Sequence, residues 1–492
     1  MQSLTETKWD VVIEGTGLQH SLLALALSRS DKKILHVDQN EYYGAAEAAF
    51  SLQEVDGWVE KVRGTSDGAP FRNATLWKAD SDDSTKSGKL SFSRAYTLTL
   101  SPQIIYTKSK LLSLLVSSKV YRQLEFQAVG NWWLYNEADE EPLKRLPNGR
   151  EDIFQDKSID NRAKRSLMKF LKFVVDYENQ TEIWEAYGDM SLQEFLSSQF
   201  QLPPRLQTVI TALTLSFDSP DKTTVRWALP RIARHLTSMG IFGPGFGAVV
   251  PKWGGGAEIA QVACRAGAVG GGVYVLGTAV ESSQAIESTE EDILGQKVSL
   301  SLSNGETVRT RHYINTTNTT ASDGLVVSKI IAVISSPLLP IFASSTEGSP
   351  LAAVSVVVFP PDSFSQEGVS PTHPVYIMVH SSETGECPVG QCLLYASTRY
   401  SENSKVVLEA TISKFLEAGK DETTLLYTLY YEQQQVPGTS PLDLAFDDQI
   451  LDDVEEQWKT VIDYGDDEEH PPFMQFADRE GMNADEDNDD EY

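Results

Sequence analysis

The sequence predicts an α/β chain in which a βαβ sheet unit is interrupted by a mostly helical insert. Three observations carry that expectation: a strand–turn–helix–strand run near the start, a switch to helical hydrophobic spacing after Lys108, and a return of short β-like runs after Gly272. A chain of 492 residues is long enough for two or more domains. The expected order is a first α/β part over 1–109, a helical domain over 110–225, a second α/β part over 226–445 and an acidic tail over 446–492.

Taking the elements in order, residues 10–14 read as a strand, Leu18 to Ser28 as a helix, and Lys33 to Asp38 as a second strand ending in an acid. The joining turn, Gly15-Thr16-Gly17-Leu18-Gln19-His20, matches a dinucleotide-binding GxGxxG run except that histidine stands at the third glycine. Such a turn can aim backbone N–H groups at a pyrophosphate, and Asp38 lies 23 residues after Gly15, near the position that grips a ribose hydroxyl. The other reading is that the turn only closes a sheet, with Asp38 hydrogen-bonding the following Asn40–Gly44 turn.

From Lys108 to Glu182 apolar residues recur at helical spacing, first through Leu111, Leu115 and Leu124, then through Leu167, Phe170, Leu171 and Val174. Further helices are expected at Leu192–Leu196, after Pro203-Pro204, and from Arg231 to Met239 with Pro230 at its start. Gly254-Gly255-Gly256 opens a helix carrying Cys264 and Arg265, and Gly270-Gly271-Gly272 closes it before a strand at Val273–Leu276. A phosphate site at these glycines would lack the usual Lys-Ser/Thr pair. Segments 298–315, 329–335, 353–359, 404–412 and 424–432 read as strands, and the last dozen residues repel one another strongly enough to favour disorder.

Composition narrows the function. Lys plus Arg total 41 against 70 Asp plus Glu, a formal charge of −29 that repels nucleic acid. With no apolar run of membrane-spanning length, a soluble cytoplasmic protein is expected. Three cysteines form neither a disulfide framework nor a zinc set, and HExxH, CxxC and GxSxG are all missing. With seven scattered histidines, a catalytic pair has no signature, so a binding protein fits better than an enzyme, although a flavin would bring its own chemistry. Glu258 and Arg265 stand two helical turns apart on one face, with Tyr274 on the next strand and Tyr43 in a turn of the first unit. They are the residue types of a protein-binding hot spot or, more plainly, solvated charges.

The segments Asp10–Leu18, Leu35–Gly44 and Gly254–Tyr274 together resemble the Rab escort proteins, relatives of the Rab GDP-dissociation inhibitors, and the likeness covers most of 8–435. The resemblance implies a flavoprotein-like fold without its cofactor, with no catalytic residue and no metal. It implies a platform of Tyr43, Glu258, Arg265 and Tyr274 for GDP-bound Rab GTPases. It also implies that Phe154 and Arg165, eleven residues apart before Leu167–Leu171, dock Rab geranylgeranyltransferase through its alpha subunit; on a continuous helix that spacing is three turns. Phe154 read alone is equally a core residue. Leu111, Leu115, Leu124, Phe170, Val174 and Phe195 are the candidate wall for the geranylgeranyl group, though core packing explains each as well. The implied role is to present new Rabs for prenylation and carry the product, through transient membrane association, to membranes. Rival readings are a Rab GDP-dissociation inhibitor, sharing the platform, and an FAD-dependent amine oxidase-like enzyme.

Overall fold

The computed structural model describes residues 4–63, 65, 69–79, 89–147, 153, 159–286, 297–315, 324–344, 348–419, 423–436, 441–463 and 472–477. Strand Lys8–Glu14 buries the consecutive Val11, Val12 and Ile13, as an inner strand covered on both faces must. It lies between parallel strands Ile34–Asp38 and Thr307–Ile314, with Val11 opposite Ile34 and His312. Val273–Leu276 adds a further parallel strand beside Ile34–Asp38. Val298–Leu302 and Val280–Ala285 extend the opposite side antiparallel, completing a six-stranded sheet. A second, ten-stranded sheet is mainly antiparallel and includes Val326–Ile334, Val354–Phe359, Val375–Ser381, Cys392–Arg399 and Leu425–Gln434.

Among the described residues the helices of eight residues or more are α1 (Leu18–Leu27), α2 (Leu52–Arg63), α3 (Lys110–Ser117), α4 (Asn161–Val175), α5 (Leu192–Phe200), α6 (Pro204–Ala212), α7 (Val225–Ser238), α8 (Gly256–Val269), α9 (Ser404–Ala418) and α10 (Gln449–Ile462). All ten residues of α1 are buried, because α8 and α10 both pack against it. One face of the large sheet meets α2 through Trp58, Phe71 and Tyr431, and the other meets α9 through Leu408, Ile412 and Phe415. Helices α4 to α7 form their own core around Phe170, Phe195, Leu229 and Ile232.

Several boundaries differ from expectation. The helical core draws on Ile153 and residues from Ala163 to Ala233, not on 110–225 as a block. Strands Phe126–Tyr135 and Leu143–Arg145 belong to the large sheet, and α3 joins the core beneath α1. Helical spacing at 111–116 marks a helix but carries no information about which core it enters. Segment 404–412 is helical, because the buried residues Val407, Leu408, Thr411, Ile412 and Phe415 follow a helical repeat despite the Val-Val run. Helix α7 begins at Val225 and contains Pro230. Full burial of Val225, Ala228, Leu229 and Ile232 offsets the lost backbone bond, which costs about 3 kcal/mol. The span 446–492 is not all tail: α10 buries Ile450, Val454 and Trp458 against α1, while the closing acidic run lies outside the described residues.

Candidate functional site

Three donors of the nucleotide-type turn, the N–H groups of Gly15, Thr16 and Leu18, are already occupied. Gly15, at φ 92°, donates its N–H to the Val37 carbonyl, and both the N–H and the hydroxyl of Thr16 donate to Asp38 Oδ2 at 2.7 Å. The other Asp38 oxygen accepts from the backbone and side chain of Asn40. Asp38 therefore stitches the turn to its own strand, the non-nucleotide alternative. At the N-terminus of α1 the Leu18 N–H points to Glu47 Oε2 at 3.4 Å, and Glu47 is only 5% exposed. A buried carboxylate there satisfies the helix end and its dipole, as an incoming phosphate would. His20 fills the space under the turn, 3.5 Å from a methyl built on Gly15, and burial lowers its pKa. His36 donates from Nε2 to the Gly15 carbonyl at 2.6 Å, and burial lowers its pKa to about 4. A dinucleotide does not fit this arrangement, because its diphosphate would meet the buried Glu47 carboxylate at the start of α1 and its ribose an Asp38 whose two oxygens are already engaged by Thr16 and Asn40.

The same corner of the molecule gathers the four platform candidates. Arg265 Nη2 donates to Glu258 Oε1 at 3.3 Å across two turns of α8, with the arginine side chain 59% exposed and the glutamate 16%. Burial pushes the Glu258 carboxyl up while Arg265 pulls it back. Strand Val273–Leu276 returns beside Ile34–Asp38 and sets Tyr274 against His36, ring centroids 5.1 Å apart. Burial raises the phenol of Tyr274 first, and the neighbouring Cys264 and Tyr43 raise it further. Its hydroxyl is buried with no hydrogen-bond partner among the described residues and lies so close to α8 that a methyl on Gly267 would sit 2.2 Å from it. Tyr42 points inward, edge-on to Phe50 at 4.8 Å, which leaves Tyr43 half-buried on the outer side. Arg265 is thus the outermost group, and Tyr274 packs beneath α8 at Gly267.

The insert candidates are more dispersed. Arg165 is exposed on α4, and Phe154 lies outside the described residues. Asp160 caps α4, accepting from the N–H groups of Arg162 and Ala163, so the helix that carries Arg165 begins at Asn161. Of the lipid candidates, Leu111, Leu115 and Leu124 belong to the core beneath α1, whereas Phe170, Val174 and Phe195 are fully buried among α4 to α7. The six do not share a wall. A cavity of about 630 Å³ lies instead between the insert and the large sheet. Leu167, Leu171, Leu206, Val209 and Leu236 line it from the helices, Trp132 and Tyr135 from the sheet. Arg205 and Asp139, paired at 3.1 Å, add a polar group to its lining. Leu167 and Leu171 lie within a turn of the fully buried Phe170 and Val174, a distinction that spacing alone does not make.

Sequence reading also missed Glu47 and Lys329. The Lys329 amine is buried on Val326–Ile334 and donates to Gln433 Oε1 at 2.6 Å, Ser101 Oγ at 3.2 Å and the Leu100 carbonyl at 3.3 Å. With Glu47 and Gln433 it lines a small cavity of about 40 Å³. Both contacts join segments distant in the chain, and no local motif announces them. Among the described residues no helix is long and apolar enough to cross a membrane, and no cluster of three or more His, Cys, Asp or Glu could hold a metal.

Comparison with known proteins follows the same outline. The family model for GDP dissociation inhibitor matches residues 5–435. The chain is 34% identical over 403 residues to the Rab proteins geranylgeranyltransferase component A of Saccharomyces cerevisiae, covering 81% of this chain and 62% of that one. The Candida albicans protein of the same name is 31% identical, with 85% and 62% covered. The chain therefore spans about three fifths of the length of these relatives. The crystal structure of a Rab GDI from Plasmodium falciparum shares the fold, with a TM-score of 0.61 at 18% identity over 92% of this chain and 98% of that one.

Proposed function

Because the chain belongs to the family of Rab escort proteins and GDP dissociation inhibitors, we propose that it is an escort protein. It binds GDP-bound Rab GTPases, presents them to Rab geranylgeranyltransferase and carries the lipidated product to membranes. The observation that carries this reading is the built pair of Glu258 and Arg265 beside Tyr43 and Tyr274, on a scaffold whose nucleotide-type turn is filled by its own carboxylates. A rigid surface of this kind selects one arrangement of a GTPase switch region, which is what discrimination between nucleotide states requires. The chain presents the substrate and supplies no catalytic group of its own, and the flavoprotein-like sheet serves as a scaffold without dinucleotide.

The cavity between insert and sheet supports the lipid part of the role. Its volume is in the usual range of a small-ligand site, and its lining is mostly apolar. A geranylgeranyl chain of roughly twenty carbons gains about 0.8 kcal/mol per buried CH₂, so even partial enclosure offsets the cost of exposing the chain to water. We assign the lipid wall to Leu167, Leu171, Leu206, Val209 and Leu236 in preference to the fully buried neighbours. Arg165, exposed on α4, and Phe154 are the candidate contacts for the transferase.

The relatives named component A of the transferase favour the escort reading over the inhibitor reading. A reconstituted reaction with transferase, unmodified Rab and geranylgeranyl diphosphate tests it. Prenylation that rises on adding this protein is the expected result. Extraction of lipidated Rab from membranes with no such rise would move the assignment to a dissociation inhibitor.

A further inference from the structure

A surface tryptophan is held in place at greater cost than packing alone explains. Trp253, Gly254 and Gly255 run at φ 60°, 136° and 59°, so a bulky residue sits in the left-handed region that favours glycine. The residue nevertheless remains 43% exposed. The Trp253 N–H donates to the Thr384 carbonyl at 3.0 Å, and the indole lies against Gly385, where a methyl would come within 2.4 Å of Cδ1 and Nε1. The Lys252 ammonium stands 4.8 Å from the ring centroid while paired with Glu125 at 3.1 Å. Below the ring, the turn at 382–387 is pinned by Glu386, itself 1% exposed. Glu386 accepts from His380 at 2.7 Å and from the Tyr395 hydroxyl at 3.2 Å, and its carbonyl accepts from the Thr97 N–H.

Strain, an obligate glycine seat and a buried polar network all fix one exposed indole in one orientation. Preorganisation of that kind lowers the entropy cost of binding, and tryptophan is among the side chains that most often anchor an interface. Position identifies the partner. Trp253 leads directly into α8, whose first turn carries Glu258. A methyl on Gly254 would lie 3.9 Å from the Ala257 Cβ, and one on Gly44 3.4 Å from it, so the Trp253 loop and the Tyr43 loop flank the same residue. A partner covering Tyr43 and Glu258 runs onto the indole.

We propose that Trp253 is a further anchor of the GTPase platform, received by an apolar pocket on the same GTPase that Arg265 and Tyr43 engage. The inference rests on the platform reading above. It is tested with the full chain, titrating a GDP-loaded Rab into wild type, Trp253→Gly, Trp253→Phe and Arg265→Ala, with a melting curve for each. Trp253→Gly relieves the backbone strain while removing the ring, so affinity should fall about tenfold or more while the melting temperature stays equal or rises. Trp253→Phe should keep affinity within about threefold of wild type. Unchanged affinity in Trp253→Gly overturns the inference, as does a fall in affinity matched by a fall in melting temperature, which would mark a structural residue. A loss confined to transferase binding overturns it too. If wild type fails to bind the GTPase, the platform reading fails with it; if Arg265→Ala weakens binding and Trp253→Gly does not, only the anchor is lost.

Discussion

Glu47 and Lys329 are two buried ionisable side chains that line one small cavity. Glu47 occupies the end of α1, and Lys329 stands across a small cavity from it, held by Gln433, Ser101 and the Leu100 carbonyl. Burial lowers the Lys329 pKa to about 7, with Glu47 opposing the shift. Between pH 7 and 10.5 the unfolded chain then binds more protons than the folded one at this site. Its contribution to stability is therefore unfavourable below pH 7 and improves as pH rises through that window. Replacing Lys329 by Met should remove this dependence. The stability of wild type relative to Lys329→Met, from urea unfolding, should rise by roughly 2–4 kcal/mol from pH 7 to 10. Parallel profiles for the two proteins would mean that the amine is not desolvated as its contacts imply.

At the scale of elements, the decisive contact is the return of strand Val273–Leu276 under α8. A glycine inside a helix costs about 0.5–1 kcal/mol relative to alanine, yet Gly267 has a clear reason, since its missing Cβ makes room for the Tyr274 hydroxyl. Gly267→Ala should therefore destabilise the protein by about 1–3 kcal/mol despite the better helix propensity, and should weaken GTPase binding by tilting α8. A thermal melt equal to or above wild type would show that the helix and strand are not as closely packed as described. The glycines bracketing α8, the acid ending Ile34–Asp38, and Tyr43 and Tyr274 as candidates were all legible in the sequence. The cap at Asp160 was not, and with α4 beginning at Asn161 the eleven-residue spacing of Phe154 and Arg165 is not three turns of one helix.

Across the whole molecule, the insert and the large sheet enclose a cavity that neither could form alone. Val209→Trp or Leu206→Trp would fill part of it from α6 without touching α8. Either change should weaken binding of geranylgeranylated Rab about tenfold while affinity for the unmodified GTPase stays within about twofold, as paired titrations would show. Equal losses for both forms would indicate that the insert is distorted or that the lipid lies elsewhere.

The sequence by itself determined the βαβ opening, the helix framed by glycines and the placing of Glu258 and Arg265 on one face of that helix, because each rests on periodicity or spacing within a few turns of chain. Tertiary structure alone decided that Asp38 and Glu47 fill the nucleotide-type turn, that Leu167 and Leu206 face a cavity while Phe170 does not, and that Gln449–Ile462 packs as a helix against α1. The physical reason is range. A hydrophobic period states that a face is buried, whereas the partner it is buried against, and the space left between them, depend on segments brought together only by folding.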